Sequence, residues 1–310
     1  MISEGFNSSM VFPEVVKTII CPDPRVQRLV YVYLMYYAEF KPQEALLSVN
    51  TFQMHLKSDN AAIRAQSLRV LTSIRLPVIA QIQIIAIQQC IKDPSPYVRK
   101  VAVHAIIKVH AVAPKKTGKL LGFLETALAD SSLLVLNSAF SVFSELCPTR
   151  FDMIHPHFRR YCGFLLDFNH WGQVSLLNIL THYARNQFVD PDPQIESTNA
   201  KDSDTDGEWS EESEIDYSEG AIDPDLQMLL KNATILLHSS SNSVVGAASA
   251  LIFYWAPSSQ NFLVTRPLLR VIRDPRCTYM GFNIIRTISL KNPVSYLVKL
   301  IIRDSQKQEI

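Results

Sequence analysis

Residues 95–109 read Ser95-Pro96-Tyr97-Val98-Arg99-Lys100-Val101-Ala102-Val103-His104-Ala105-Ile106-Ile107-Lys108-Val109. Counted from Val98 at offsets 0, +3, +4, +7, +8 and +11, the chain gives Val98, Val101, Ala102, Ala105, Ile106 and Val109. That is an unbroken apolar face at the period of an α-helix. The same register recurs three times. From Ile63 it gives Ile63, Gln66, Ser67, Val70, Leu71 and Ile74, and from Val135 it gives Val135, Ser138, Ala139, Val142, Phe143 and Leu146. From Val245 it gives Val245, Ala248, Ser249, Ile252, Phe253 and Ala256. Offsets +7 and +8 are apolar in every window. Offset +4 is always small, as Ser67, Ala102, Ala139 or Ser249, which lets a neighbouring helix approach closely.

Three residues before each anchor stands Asn60, Ser95, Ser132 or Asn242. These residue types accept a hydrogen bond from the free backbone N–H groups that open a helix, so each is expected to cap one, for about 1 kcal/mol. The first three anchors lie 35 and 37 residues apart, close to the two-helix period of HEAT and armadillo arrays. Residues 77–91 and 154–168 leave room for second helices. A helix pair cannot bury its apolar face alone, so successive pairs must stack. The expected fold is therefore all-α, a HEAT/armadillo-like α–α superhelical solenoid.

Composition agrees with that reading. The chain has 310 residues, more than one core usually holds, with only 9 Gly and 47% hydrophobic residues. The N-terminus carries no basic start followed by an apolar run, and no apolar stretch reaches the ~18 residues a bilayer requires. A soluble, unsecreted chain is expected. Cys21, Cys90, Cys147, Cys162 and Cys277 are odd in number and widely spaced. They read as small core residues in a reducing cytosol, and as neither a disulfide framework nor a metal cluster. The sequons Asn7-Ser8-Ser9 and Asn232-Ala233-Thr234 read as chance occurrences.

The helical periodicity stops between Asp190 and Asp225. That stretch holds 14 acidic residues against Lys201, a net charge of −13, which leaves +14 on the remainder of a chain whose total is +1. Three parts are expected: repeats over 1–189, a disordered acidic Ser-rich loop over 190–222, and further repeats over 223–305. Inside the loop Ser203, Thr205 and Ser213 each precede an acidic residue by three positions, Asp206, Glu208 and Asp216. They are candidate phosphorylation sites for an acidophilic kinase. The basic remainder suits an anionic membrane leaflet or an acidic partner.

Several strings are more specific than the period. Leu29-Val30-Tyr31-Val32-Tyr33-Leu34-Met35, Ser48-Val49-Asn50-Thr51-Phe52-Gln53 and Ser95-Pro96-Tyr97-Val98-Arg99-Lys100 resemble beta-adaptins, the large trunk subunits of vesicle-coat adaptor complexes. Residues 71–75 and 147–155, Trp171-Gly172-Gln173-Val174 and residues 183–189 are most similar to the beta subunit of the third adaptor type. The resemblance covers residues 5–190 well and 223–300 more loosely. It implies a cytosolic, non-enzymatic coat subunit working with another large chain, a medium chain and a small chain. It also implies peripheral attachment to Golgi and endosomal vesicle membranes, a small GTPase as a further partner, and vesicle-mediated protein transport. Relative to the family, the chain is expected to begin after the first trunk helices and to end inside the trunk, before any hinge or ear.

Other chemistry finds little support. His155-Pro156-His157 has no Cys, Asp or Glu set at ligand spacing and reads as a loop or helix start. His104 and His110 sit six residues apart on one expected helix, about 240° around it, and read as surface or pocket histidines. No phosphate-binding glycine loop or hydrolase motif is present. No catalytic residue, cofactor, metal or nucleic-acid partner is expected. Trp255 and Trp171 read as core, and Trp209 in the acidic tract leaves a short docking motif open. Two rival binding functions share the fold, a nuclear transport receptor and a phosphatase-type scaffold; only the quoted strings decide against them.

Overall fold

The structure, a computed structural model, describes residues 9–18, 23–188, 223–257 and 263–291. Every regular element among these is helical: α1 (Phe12–Lys17), α2 (Pro24–Tyr37), α3 (Pro42–His55), α4 (Ala61–Ser73), α5 (Ala80–Cys90), α6 (Pro96–Val112) and α7 (Thr117–Leu128). They continue as α8 (Leu133–Leu146), α9 (Phe158–Phe164), α10 (His170–Gln187), α11 (Pro224–Leu236), α12 (Asn242–Trp255), α13 (Thr265–Arg273) and α14 (Thr278–Lys291). None of the helices in the described residues is long and apolar enough to cross a membrane.

Local chemistry fixes where these helices start. Pro24, Pro42, Pro96 and Pro224 each open one, where the missing N–H costs nothing and the ring presets φ. Asp23, Asn60, Asn169 and Asp223 cap with side-chain oxygens that accept from Arg25, Ala62, Gly172 and Asp225 N–H. The expected caps hold only in part. Asn60 caps, while Ser95 and Ser132 occupy the capping position without a side-chain bond. Asn242 lies one residue inside α12, behind Ser241. Its amide donates instead to Asp274 Oδ2 at 2.7 Å. A shared carboxylate from a neighbouring loop has replaced the local cap.

The chain forms two compact units, Met1–Phe158 and Arg159–Ile310. In the first, α2, α4, α6 and α8 pack side by side as one row, with α5 and α7 filling the pairs against α6 and α8. In the second, α10, α12 and α14 form the corresponding row, and α11 and α13 pack against α12. The register read from sequence is the core of both. Ser67, Ala102, Ala139 and Ser249 are all fully buried, as are Leu71, Ile106 and Phe143. Small residues at +4 and large ones at +8 interlock the rows, and a fully buried side chain of this size stabilises by about 1.5–3 kcal/mol. Ile63, Gln66 and Leu146 are only half-buried, at the two ends and the edge of the pattern's windows. Gly281 shows the same close approach between α14 and α13: a Cβ there would lie 2.7 Å from Ile272 Cγ1.

Candidate interaction surfaces

Two positions after Asn60–Ala62 and after Ser95–Tyr97 the register places an arginine, Arg64 and Arg99, next to the anchors Ile63 and Val98. Each reaches into the loop that opens the next repeat. Arg64 Nε and Nη2 donate to Asp93 Oδ2 and Oδ1 at 2.8 and 2.9 Å, while its Nη1 donates to the carbonyls of Ser58 and Asp59. Arg99 repeats the arrangement with Asp130, at 2.7 and 3.1 Å, and with the carbonyls of Asp93 and Pro94. The carboxylates also accept from the N–H of Ser95 and Ser132. Both pairs are largely buried, with 13% and 8% of the side-chain surface exposed for Arg64 and Asp93, and 17% and 12% for Arg99 and Asp130. Burial alone would raise the two carboxyl pKa values; the guanidinium bonds and the backbone donors outweigh it and hold both below the ordinary range. The result is a clamp between consecutive repeats that ties each loop to the helix before it. Sequence reading missed it, although an Arg at +1 and an Asp five residues before the next anchor were visible signals.

Surface apolar residues form stripes. On α2 and the residues after it, Leu29, Val32, Tyr36 and Phe40 are exposed and separated by three, four and four residues, so they share one face. Leu47 and Met54 lie two turns apart on α3, at 71% and 74% exposure. Shallow grooves of about 450 Å³ between α3 and α5 and between α5 and α7 meet at half-exposed Ile85. In the second unit, Trp171 is 83% exposed. It was expected in the core. The helix explains the difference: +7 and +11 from Trp171 fall on Asn178 and His182, both exposed, whereas the buried face runs through Leu176, Leu180 and Ala184. An exposed Trp on a polar face is the type of side chain that anchors a protein interface.

The remaining sequence expectations fall as follows. Trp255 is buried as expected. Cys90, Cys147 and Cys162 are buried free thiols, and burial pushes the Cys90 and Cys162 thiols up to about 12. Such thiols stay protonated and behave as small apolar residues. Cys277 is half-buried, and Cys21 lies outside the described residues. His155–His157 form a short 3-10 turn leading into α9. His110 Nδ1 is 3.1 Å from Thr117 Oγ1, and His104 lines a groove between α4 and α6. The structure does not bring the two histidines together. Ser203, Thr205, Ser213, Trp209 and the whole expected loop over 190–222 lie outside the described residues.

A family model of the adaptin N-terminal region matches residues 1–302. The chain belongs to the adaptin N-terminal family. This adaptin is 41% identical over 295 residues to "AP-3 complex subunit beta-1" of Bos taurus, a match covering 94% of this chain and 27% of that protein. It is also 41% identical over 321 residues to "AP-3 complex subunit beta" of Dictyostelium discoideum, covering 94% and 28%. Identity to "AP-3 complex subunit beta-2" of Mus musculus is 38% over 327 residues, covering all of this chain and 30% of that one. The adaptin chain thus spans under a third of the length of these relatives. Its fold matches a chain of the "Homology model of the full-length AP-3 complex in an intermediate open conformation" with a TM-score of 0.59 at 26% identity, over 93% of this chain and 48% of that one. The all-α solenoid read from the helical periodicity and the resemblance read from the quoted strings are both borne out.

Proposed function

We propose that this adaptin is a non-enzymatic subunit of a heterotetrameric adaptor coat of the third type. Its role in that reading is vesicle-mediated protein transport from endosomes and the trans-Golgi toward lysosome-related compartments. The partners are a second large chain, a medium chain and a small chain; the membrane is engaged peripherally through the complex, and a small GTPase is a further partner. What carries the reading is identity of about two residues in five to AP-3 beta chains across nearly the whole sequence. Exposed Trp171 supports it with a surface suited to protein contact.

Purification of the tagged chain from cells tests this. Recovery of one other large, one medium and one small adaptor chain is the expected result, and recovery of nuclear cargo or phosphatase subunits would overturn it. Trp171→Ala should leave unfolding unchanged to within ~0.5 kcal/mol, because the side chain is exposed. The same variant should lower capture of a partner chain by roughly 30-fold, the size of a hot-spot loss. Unchanged capture would show that the indole lies outside the interface.

Within the same reading Ser203, Thr205 and Ser213 accept phosphate, each supported by the acidic residue three positions on. Each phosphate would add about −1.5 to −2 charge to a tract already at −13. Incubation with an acidophilic kinase followed by peptide mass spectrometry should find at least one of the three modified. Phosphate confined to other residues would remove the assignment.

A further inference from the structure

The helices α4 and α6 carry two kinds of cation. Arg64 and Arg99 are consumed by Asp93 and Asp130. Arg69, Lys100 and Lys108 form no ion pair among the described residues, and with His104 they line a groove of about 380 Å³ between the two helices. Its floor is Thr72, Val101, Ala105 and Ile107, and no carboxylate lines it. Lys108 Nζ is held over the groove by donating to Ser73 Oγ at 2.8 Å.

Such crowding opposes folding. Lys100 and Lys108 flank His104 at four-residue spacing on α6, and Arg69 of α4 lines the same groove. Partial burial first, then neighbouring cations, push His104 and Lys108 below their ordinary values: Lys100, Lys108 and Arg69 act on His104, Arg69 and Arg75 on Lys108. Arg64 and Arg99 on the same two helices are each paired with a carboxylate, whereas the cations of this groove face none.

We infer that the α4–α6 groove is a docking site for a phosphorylated acidic polypeptide of a partner protein. Its shape favours a peptide over a lipid headgroup. At 1.5 Å per helical residue the track from Lys100 to Lys108 is about 12 Å long, the length of roughly four residues of extended chain. One phosphate can bridge Arg69 and Lys108 across the helices, in charge-assisted bonds stronger than those a neutral hydroxyl makes. Neighbouring carboxylates then face Lys100, and the peptide's methylene groups lie on Val101, Ala105 and Ile107. This site does not depend on the coat assignment, since every residue belongs to this chain's first unit.

Fluorescence anisotropy of the intact chain tests it. The probes are a labelled acidic peptide with one phosphoserine, its unphosphorylated twin, and phosphatidylcholine vesicles with and without a phosphatidylinositol monophosphate. The phosphopeptide should bind at least about tenfold tighter than its twin. Arg69→Gln with Lys108→Gln should abolish that preference, while Lys119→Gln on α7 leaves it intact and Lys108→Arg largely retains it. Thermal unfolding of the double variant should be unchanged or improved, because repulsion is relieved; this excludes misfolding as the cause of lost binding. Equal affinity for both peptides, an undiminished preference in the double variant, or binding to the charged vesicles alone would each overturn the proposal.

Discussion

Phe143→Ala should destabilise the first unit by about 3–5 kcal/mol. Phe143 is completely buried on α8 at the +8 offset that Leu71, Ile106 and Phe253 occupy in the other repeats. Removing its ring deletes apolar surface and leaves a cavity that the α6–α8 row, seated close across Ala102 and Ala139, cannot readily collapse. Phe143→Leu is the informative companion, since a smaller change of volume should cost under about 1.5 kcal/mol. Urea unfolding followed by circular dichroism reads both. A loss for Phe143→Ala no greater than that for Phe143→Leu would mean that the repeat interface is loosely packed and that the +8 register is not its core.

Arg99→Ala should cost about 3 kcal/mol or more, unusually large for a charged residue outside a catalytic site. The substitution leaves the Asp130 carboxylate, 12% exposed, without its bidentate partner, and it strips donors from the carbonyls of Asp93 and Pro94. Asp130→Ala in the same background should recover part of the loss, because an unpaired buried charge is costlier than no charge. A double-mutant cycle therefore gives a clear coupling, where an exposed pair such as Arg150–Asp152 gives little. The pH dependence follows from the direction of the carboxyl shift. The folded-state pKa of Asp130 lies below its ordinary 3.8, so the clamp's contribution is complete above that value and fades as pH falls through the lower folded-state value. The gap between wild type and Arg99→Ala should be constant around neutral pH and shrink in acid, beginning where the unpaired, partly buried Asp130 carboxyl of the variant takes up its proton. An additive cycle, or a gap that closes near neutrality, would show that the ion pair contributes nothing beyond surface electrostatics.

The two surfaces were unequally legible beforehand. The periodic positions gave the packing directly: Ser67, Ala102, Ala139 and Ser249 are buried because a small residue at a fixed phase on a helix can only mark a close crossing. Trp171 was misread because its string carried the family likeness, and likeness says nothing about which way a side chain faces. Phase would have corrected it, since Asn178 and His182 share its side of α10.

By itself the sequence determined the helical repeat, its register, the small and large positions that interlock, and membership of the adaptin N-terminal family. The repeat and its register are properties of spacing within a window of a dozen residues, where each helix obeys a fixed 100° turn per residue. Family membership rests instead on the likeness of the quoted strings and of the chain as a whole to adaptins. Only the tertiary structure decided that Arg64 and Arg99 reach Asp93 and Asp130, 29 and 31 residues away, and that Asn242 abandons its cap for Asp274. It alone gathered Arg69 from one helix and Lys100, His104 and Lys108 from another around a single groove. The physical reason is the same in each case. A side chain's partner across a helix interface depends on the stacking of whole repeats, and that stacking is set by the summed burial of many apolar side chains rather than by any neighbour in sequence.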